Sequence, residues 1–186
     1  YEGETAPKNP DLRQFTASDT GVTLASAVVP PDYTLKGTLV SQWQCDSVPF
    51  TATVRAVNAG NYDLSVSLHC DSSKNPDACG AHVCHHRTYH KDGTFRDSVQ
   101  GKALASAIAG PLCKLLPGRA DPVQARPDRK KKLSGLQVLR ATRPPAVLCE
   151  CSFISNANDA EMMKNRPELI AQAIGAGILD YIDNGH

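Results

Sequence analysis

The sequence predicts an α/β fold: one domain, with a mostly parallel mixed sheet flanked by helices on both faces. Three observations lead there. Ala146-Val147-Leu148-Cys149 is a short apolar run of the kind used by strands covered on both sides. Residues 63–69 alternate, with Leu64, Val66 and Leu68 on one face and Ser65, Ser67 and His69 on the other. Two long helical stripes accompany these strands, one through Leu104, Ile108 and Leu112, the other through Ile170, Ala173, Ile174, Ile178 and Tyr181. Strands alternating with helices build largely parallel sheets. A length of 186 residues suits one such domain, expected over residues 1–186 with a short tail at 183–186, and no internal repeat divides it.

Taken in order, residues 1–15 are polar, carry Pro7 and Pro10, and read as loop. Residues 16–29 carry a weak helical pattern that Pro30-Pro31 ends. Residues 38–43 read as a strand, and 48–59 as a short helix closed by Gly60. After the alternating strand, 70–80 is a loop and 81–85 a further strand. A long helix is expected over 96–116, with Gly110-Pro111 as a point of kinking or interruption. Residues 117–135 are rich in proline and charge and read as loop; 136–139 read as a short strand and 146–151 as the next. Asp159 is the expected cap of a short helix through Met163, and Pro167 opens the last helix at a first-turn position.

A net charge of +1 gives no general electrostatic argument for nucleic acid or for an anionic membrane. No apolar run reaches the roughly 18 residues of a membrane span, and the N-terminus shows no signal-peptide pattern. The chain opens on Tyr1, so its natural start is expected upstream. Seven cysteines, an odd number, do not read as a disulfide framework, and mostly reduced thiols are expected. Cys149 and Cys151 should share one sheet face, opposite Glu150. Cys70, Cys79 and Cys84 are the best candidates for an exception. With His82, His85, His86 and His90 they form a set of potential metal ligands, but the spacing matches no ordinary zinc pattern, so 82–86 reads as a strand and its exposed end. The basic run 126–132 reads as a solvated loop, with contact to anionic wall polymers as the sharper alternative.

Glu150 ends its apolar run, and His69 ends the alternating strand. In open α/β sheets the C-terminal strand ends are where ligands and chemistry sit. If both strands run parallel in one sheet, the two side chains emerge on the same edge. A neutral imidazole beside a carboxylate suits a zinc hydrolase, in which protein ligands hold the ion and a carboxylate takes a proton from water. The bland alternative is a hydrogen-bonded strand-end histidine. Ser152 and Ser155 lie in no nucleophile-elbow context.

Several blocks resemble the zinc-dependent N-acetylmuramoyl-L-alanine amidases, the peptidoglycan hydrolases of autolysins and phage endolysins. Residues 63–72, with Ser67-Leu68-His69-Cys70, are similar to the family's strand and loop around a histidine ligand. Residues 54–59 resemble the upstream helix with its Arg and Ala-Asn. Residues 136–142, then Pro145-Ala146-Val147-Leu148-Cys149-Glu150 and Phe153-Ile154-Ser155-Asn156, are very similar to the family's signature. The likeness covers residues 36–182. It implies that His69 is a zinc ligand, that Glu150 is the catalytic glutamate, and that Glu4 (or Glu2) supplies a second ligand. It implies Zn²⁺ as cofactor, peptidoglycan as partner, and action on the cell wall by a secreted autolysin or a released phage lysin. The reaction implied is hydrolysis of the amide between N-acetylmuramic acid and the L-alanine of the stem peptide. The family's first strand ends in Gly-His; no such pair opens this chain, so that strand is expected to be absent. Two other readings stay open: a catalytically impaired relative that binds peptidoglycan or a protein partner, and a zinc peptidase acting on stem peptides. No motif speaks to oligomeric state.

Overall fold

The computed structural model describes residues 13–15, 39–41, 50–60, 62–90, 92, 94–126 and 136–185. The strands are β1 (Arg13–Phe15), β2 (Leu39–Ser41), β3 (Ser65–Asp71), β4 (His82–Tyr89), β5 (Phe95–Asp97), β6 (Val123–Arg126) and β7 (Ala146–Phe153). The helices are α1 (Phe50–Ala59), α2 (Val99–Leu115), α3 (Gln137–Arg140), α4 (Ala157–Asn165) and α5 (Pro167–Asp183). The expected helix over 16–29 and the candidate ligands Glu2 and Glu4 lie outside the described residues.

Five strands form the main sheet, in the order β3-β7-β4-β5, with β6 also paired to β4. The sheet is mixed: β3–β7 and β4–β6 run parallel, β4–β7 and β4–β5 antiparallel. Parallel pairing therefore accounts for half of these contacts. The antiparallel share enters because a return strand, β4, is inserted between β7 and β6.

Alternation along β7 divides the core. Val147, Cys149 and Cys151 join Val83 and the apolar stripes of α2 and α5 on one face. Ala146 and Leu148 join Cys84, with Val54 of α1 and Val138 and Leu139 of α3, on the other. The helices thus cover both faces, as expected. Cys149 and Cys151 lie opposite Glu150, buried as small apolar side chains. The six described cysteines are free thiols.

α2 begins where Ser98 accepts a hydrogen bond from the Gly101 N–H at 3.2 Å, and it runs on through Pro111 to Leu115. It therefore starts three residues later than expected, because Arg96 and Asp97 are drawn into β5 by pairing with β4. Pro111 cannot donate to the Ala107 carbonyl, and α5 approaches closely there. A Cβ added to Gly177 would lie 2.4 Å from Ile108 Cα and 2.6 Å from the Ala107 oxygen. Both are backbone atoms, so the helices themselves would have to part. Gly177→Val is expected to lower stability by about 1–3 kcal/mol, read as a drop in the urea midpoint.

Four local expectations are corrected. Residues 136–139 form the start of a helical turn, not a strand, in which the Leu136 carbonyl accepts from the Leu139 and Arg140 N–H groups. Val138 and Leu139 are adjacent and both buried, which an alternating strand does not allow. The 117–135 loop contains β6, recruited by the free edge of β4. Within residues 1–15, Arg13–Phe15 pairs antiparallel with β2, the strand expected at 38–43. The cap of α4 is Asn156, which accepts from the Asn158 and Asp159 N–H groups at 3.1 and 3.2 Å.

Asp159 is used otherwise. It is buried, and its Oδ2 accepts from the Gly80 N–H at 2.8 Å, the Phe153 N–H at 3.1 Å and the Ser152 hydroxyl. One carboxylate thereby ties α4 to the end of β7 and to the turn that launches β4.

Candidate active site

Two ladders place the site. Parallel pairing sets His69 of β3 directly beside Glu150 of β7. Antiparallel pairing sets His82 of β4 on Glu150's other side. Paired residues of neighbouring strands project from the same face, so His69, Glu150 and His82 stand abreast on the face that also carries Leu148 and Cys84. Glu150 was expected at the end of its strand. It lies three residues inside, because β7 continues to Phe153, which pairs with Asp71 beyond an irregularity in β3.

His69 and Glu150 line one cavity of about 200 Å³, together with Arg126, Leu136, Gln137, Val138 and Leu148. That is below the roughly 300–1,000 Å³ that encloses a drug-sized ligand, and suits a reacting group with its immediate flanks. Burial holds the Glu150 carboxyl above the usual carboxylate range, Asp71 adds to this, and the Arg126 guanidinium opposes it. Glu150 Oε2 is buried and has no hydrogen-bond partner among the described residues. Burial also lowers the His69 pKa, which keeps its imidazole neutral near pH 7 and able to act as a nitrogen ligand.

His82 was read as part of an exposed-ended strand. It is fully buried, as is His85, and neither ring nitrogen of His82 is hydrogen-bonded among the described residues. Its Nε2 lies 3.9 Å from Asp71 Oδ2. Burial first, then the charge of Arg119, pushes its pKa down to about 4, although Asp71 pulls the other way. The unfolded chain binds this proton near 6.5 and the folded chain only near 4. Between those values the unfolded state holds more protons. The stability contribution is complete above about pH 6.5 and falls by roughly 2–4 kcal/mol as the pH drops to 4. Urea midpoints at pH 7 and 4.5 measure this, and His82→Leu should flatten the difference.

The remaining sulfur and histidine candidates are not brought together. Cys70 Sγ lies 3.4 Å from Met163 Sδ, Cys79 packs against Gly118, and Cys84 is in the core. Ser155 accepts from the Ser73 N–H at 2.9 Å and so ties two loops. Among the described residues no three His, Cys, Asp or Glu side chains converge to hold a metal ion. What is present fits part of a zinc site: a neutral imidazole, and beside it a carboxylate with an unpartnered buried oxygen.

The N-acetylmuramoyl-L-alanine amidase family matches residues 36–180. The chain is 29% identical over 121 residues to N-acetylmuramoyl-L-alanine amidase LytC of Bacillus subtilis, covering 64% of this chain and 21% of that protein. It is 32% identical over 123 residues to the probable cell wall amidase LytH of Staphylococcus saprophyticus, covering 64% of this chain and 35% of that one. It thus spans about a fifth to a third of the length of these relatives. The catalytic domain of the CD27L endolysin targeting Clostridia difficile superposes with a TM-score of 0.53 at 27% identity, over 70% of this chain and 61% of that one. The amidase AmiC2 of Nostoc punctiforme shares the fold, with a TM-score of 0.55 at 23% identity, over 73% and 67% of the two chains. With the match extending over most of the chain and including both His69 and Glu150, the protein belongs to the N-acetylmuramoyl-L-alanine amidase family.

Proposed function

We propose that the chain is a peptidoglycan hydrolase that cleaves the amide between N-acetylmuramic acid and the L-alanine of the stem peptide. The observation that carries this reading is the registered pair of His69 and Glu150 on the wall of one cavity, with one buried Glu150 carboxylate oxygen unpartnered among the described residues. His69, with Glu4 from outside the described residues, would hold a zinc ion, whose Lewis acidity polarises a carbonyl and acidifies water. Glu150 takes a proton from the attacking water and passes it to the leaving amine. Its raised pKa favours that second delivery, since a carboxyl that holds its proton more firmly remains a usable acid nearer neutrality. Leu136, Val138 and Leu148 give the reacting amide an apolar wall.

A base must be ionised to act. Burial raises the Glu150 pKa in the metal-free chain and a bound cation would lower it again, so the kcat/KM profile is expected to show an acid limb from a single ionisation. Below the limb the rate falls about tenfold per pH unit. Release of stem peptides from purified sacculi, measured across the acid range, checks this; a rate that does not fall on the acid side would remove Glu150 from the role.

That no three His, Cys, Asp or Glu side chains converge to hold a metal ion among the described residues favours one second reading: a relative that binds peptidoglycan without hydrolysing it. Metal analysis of the purified chain, with mass spectrometry of digested sacculi, decides. Zinc together with a new L-alanine N-terminus supports the amidase. A new terminus elsewhere in the stem supports a zinc peptidase, and sacculus binding without release supports the impaired relative.

A further inference from the structure

Arg126 ends β6, opposite His86 in the parallel ladder to β4, and so projects from the same sheet face as Cys84 and His82. It is half-buried and lines the cavity with His69 and Glu150. Among the described residues its guanidinium has no ion-pair partner. Around this cavity Arg126 is the cationic wall and Glu150 the anionic one, with the apolar side chains of Leu136, Val138 and Leu148 between them.

A half-buried guanidinium presents five donors in a planar fork and cannot shed its charge, so its natural complement is a carboxylate. Glu150 is an internal counter-charge across the cavity, but in the proposed reaction it is needed for proton transfer. An incoming anion would relieve the imbalance. On the proposed substrate the acyl side of the scissile amide is a neutral lactyl ether of a sugar. The peptide side offers a carboxylate one residue away, on the glutamate that follows L-alanine. That group is free in some stem peptides and amidated in others.

We propose that Arg126 is a specificity-determining residue that pairs with the carboxylate of the residue following L-alanine, so that the site selects acidic stem peptides over amidated ones. This rests on the amidase reading. The contact is charge-assisted and bidentate in the acidic substrate. In the amidated one it falls to a single neutral carbonyl.

The test uses the full chain and two synthetic muropeptides identical except for a free or amidated glutamate α-carboxyl. Wild type is expected to favour the acidic peptide by about 10–100-fold in kcat/KM, the worth of a hydrogen-bonded charge, mainly through KM. Arg126→Gln should bring the two substrates together, and Arg126→Lys should keep part of the preference. Equal wild-type rates, or a preference that persists in Arg126→Gln, would overturn the proposal. Calorimetric binding of the same pair to the Glu150→Gln chain reads the contact without turnover. Tighter binding of the acidic peptide supports the proposal, and equal binding overturns it. If neither peptide is cleaved by wild type but the acidic one still binds tighter, the hydrolase reading falls and the Arg126 contact stands.

Discussion

Glu150→Gln is expected to abolish peptidoglycan hydrolysis, by about 10²–10⁴-fold in kcat/KM, while leaving the fold intact. The two side chains have the same shape, so the cavity wall is unchanged and His69 keeps its place beside position 150. What is lost is the ability to take and return a proton. Stability should move little, because burial already disfavours the charged carboxylate and a neutral amide avoids that cost. Activity and melting temperature must therefore separate. Dye release from labelled sacculi gives the first and a thermal melt the second. A Glu150→Gln chain that keeps more than a tenth of wild-type activity would exclude Glu150 as the base.

Asp159→Ala should do the reverse and strike at the fold. The substitution strands three buried donors at once: the Gly80 and Phe153 N–H groups and the Ser152 hydroxyl. Unsatisfied buried donors cost about 1–3 kcal/mol each, and relaxation recovers part of this, so a loss of roughly 3–5 kcal/mol is expected. That is a large share of the 5–15 kcal/mol that holds a typical domain folded. Asp159→Asn keeps one acceptor oxygen and should fall between. Urea denaturation of the three chains measures the order; wild-type-like stability in Asp159→Ala would show that the three donors find other partners.

The parts of this fold visible in the sequence are those long enough to show a period. The stripes of α2 and α5 and the alternation of β3 are written over seven to seventeen residues, and all three elements are present. α3 and β6 are four residues each, too short for a period to distinguish helix from strand, and both were misread. Pairing partners are a tertiary fact: nothing in residues 82–89 says that β4 runs antiparallel to β7. His82 was missed as a neighbour of Glu150 for that reason. The available signal was that His82, Cys84 and His86 share a face by alternation, which marks one side of β4 as polar but not which strand it meets. Asp159 misled because a first-turn acid ordinarily serves its own helix, whereas here more distant donors claim it. His69 and Glu150 were legible because each sits on a recognisable strand pattern, although both strands run on past them, and the family likeness suggested the roles proposed for them.

β7 is hydrogen-bonded along both edges, to β3 on one side and β4 on the other. Glu150 therefore belongs to the portion of the backbone whose amides open only when the whole domain does. The cavity it faces is closed by a four-residue helix and the last residue of a four-residue strand. Such short pieces exchange with solvent far more readily. On the amidase proposal, a bulky glycan strand would be accommodated by breathing of the outer wall while Glu150 stays fixed, and adaptation to different walls would proceed through α3 and β6.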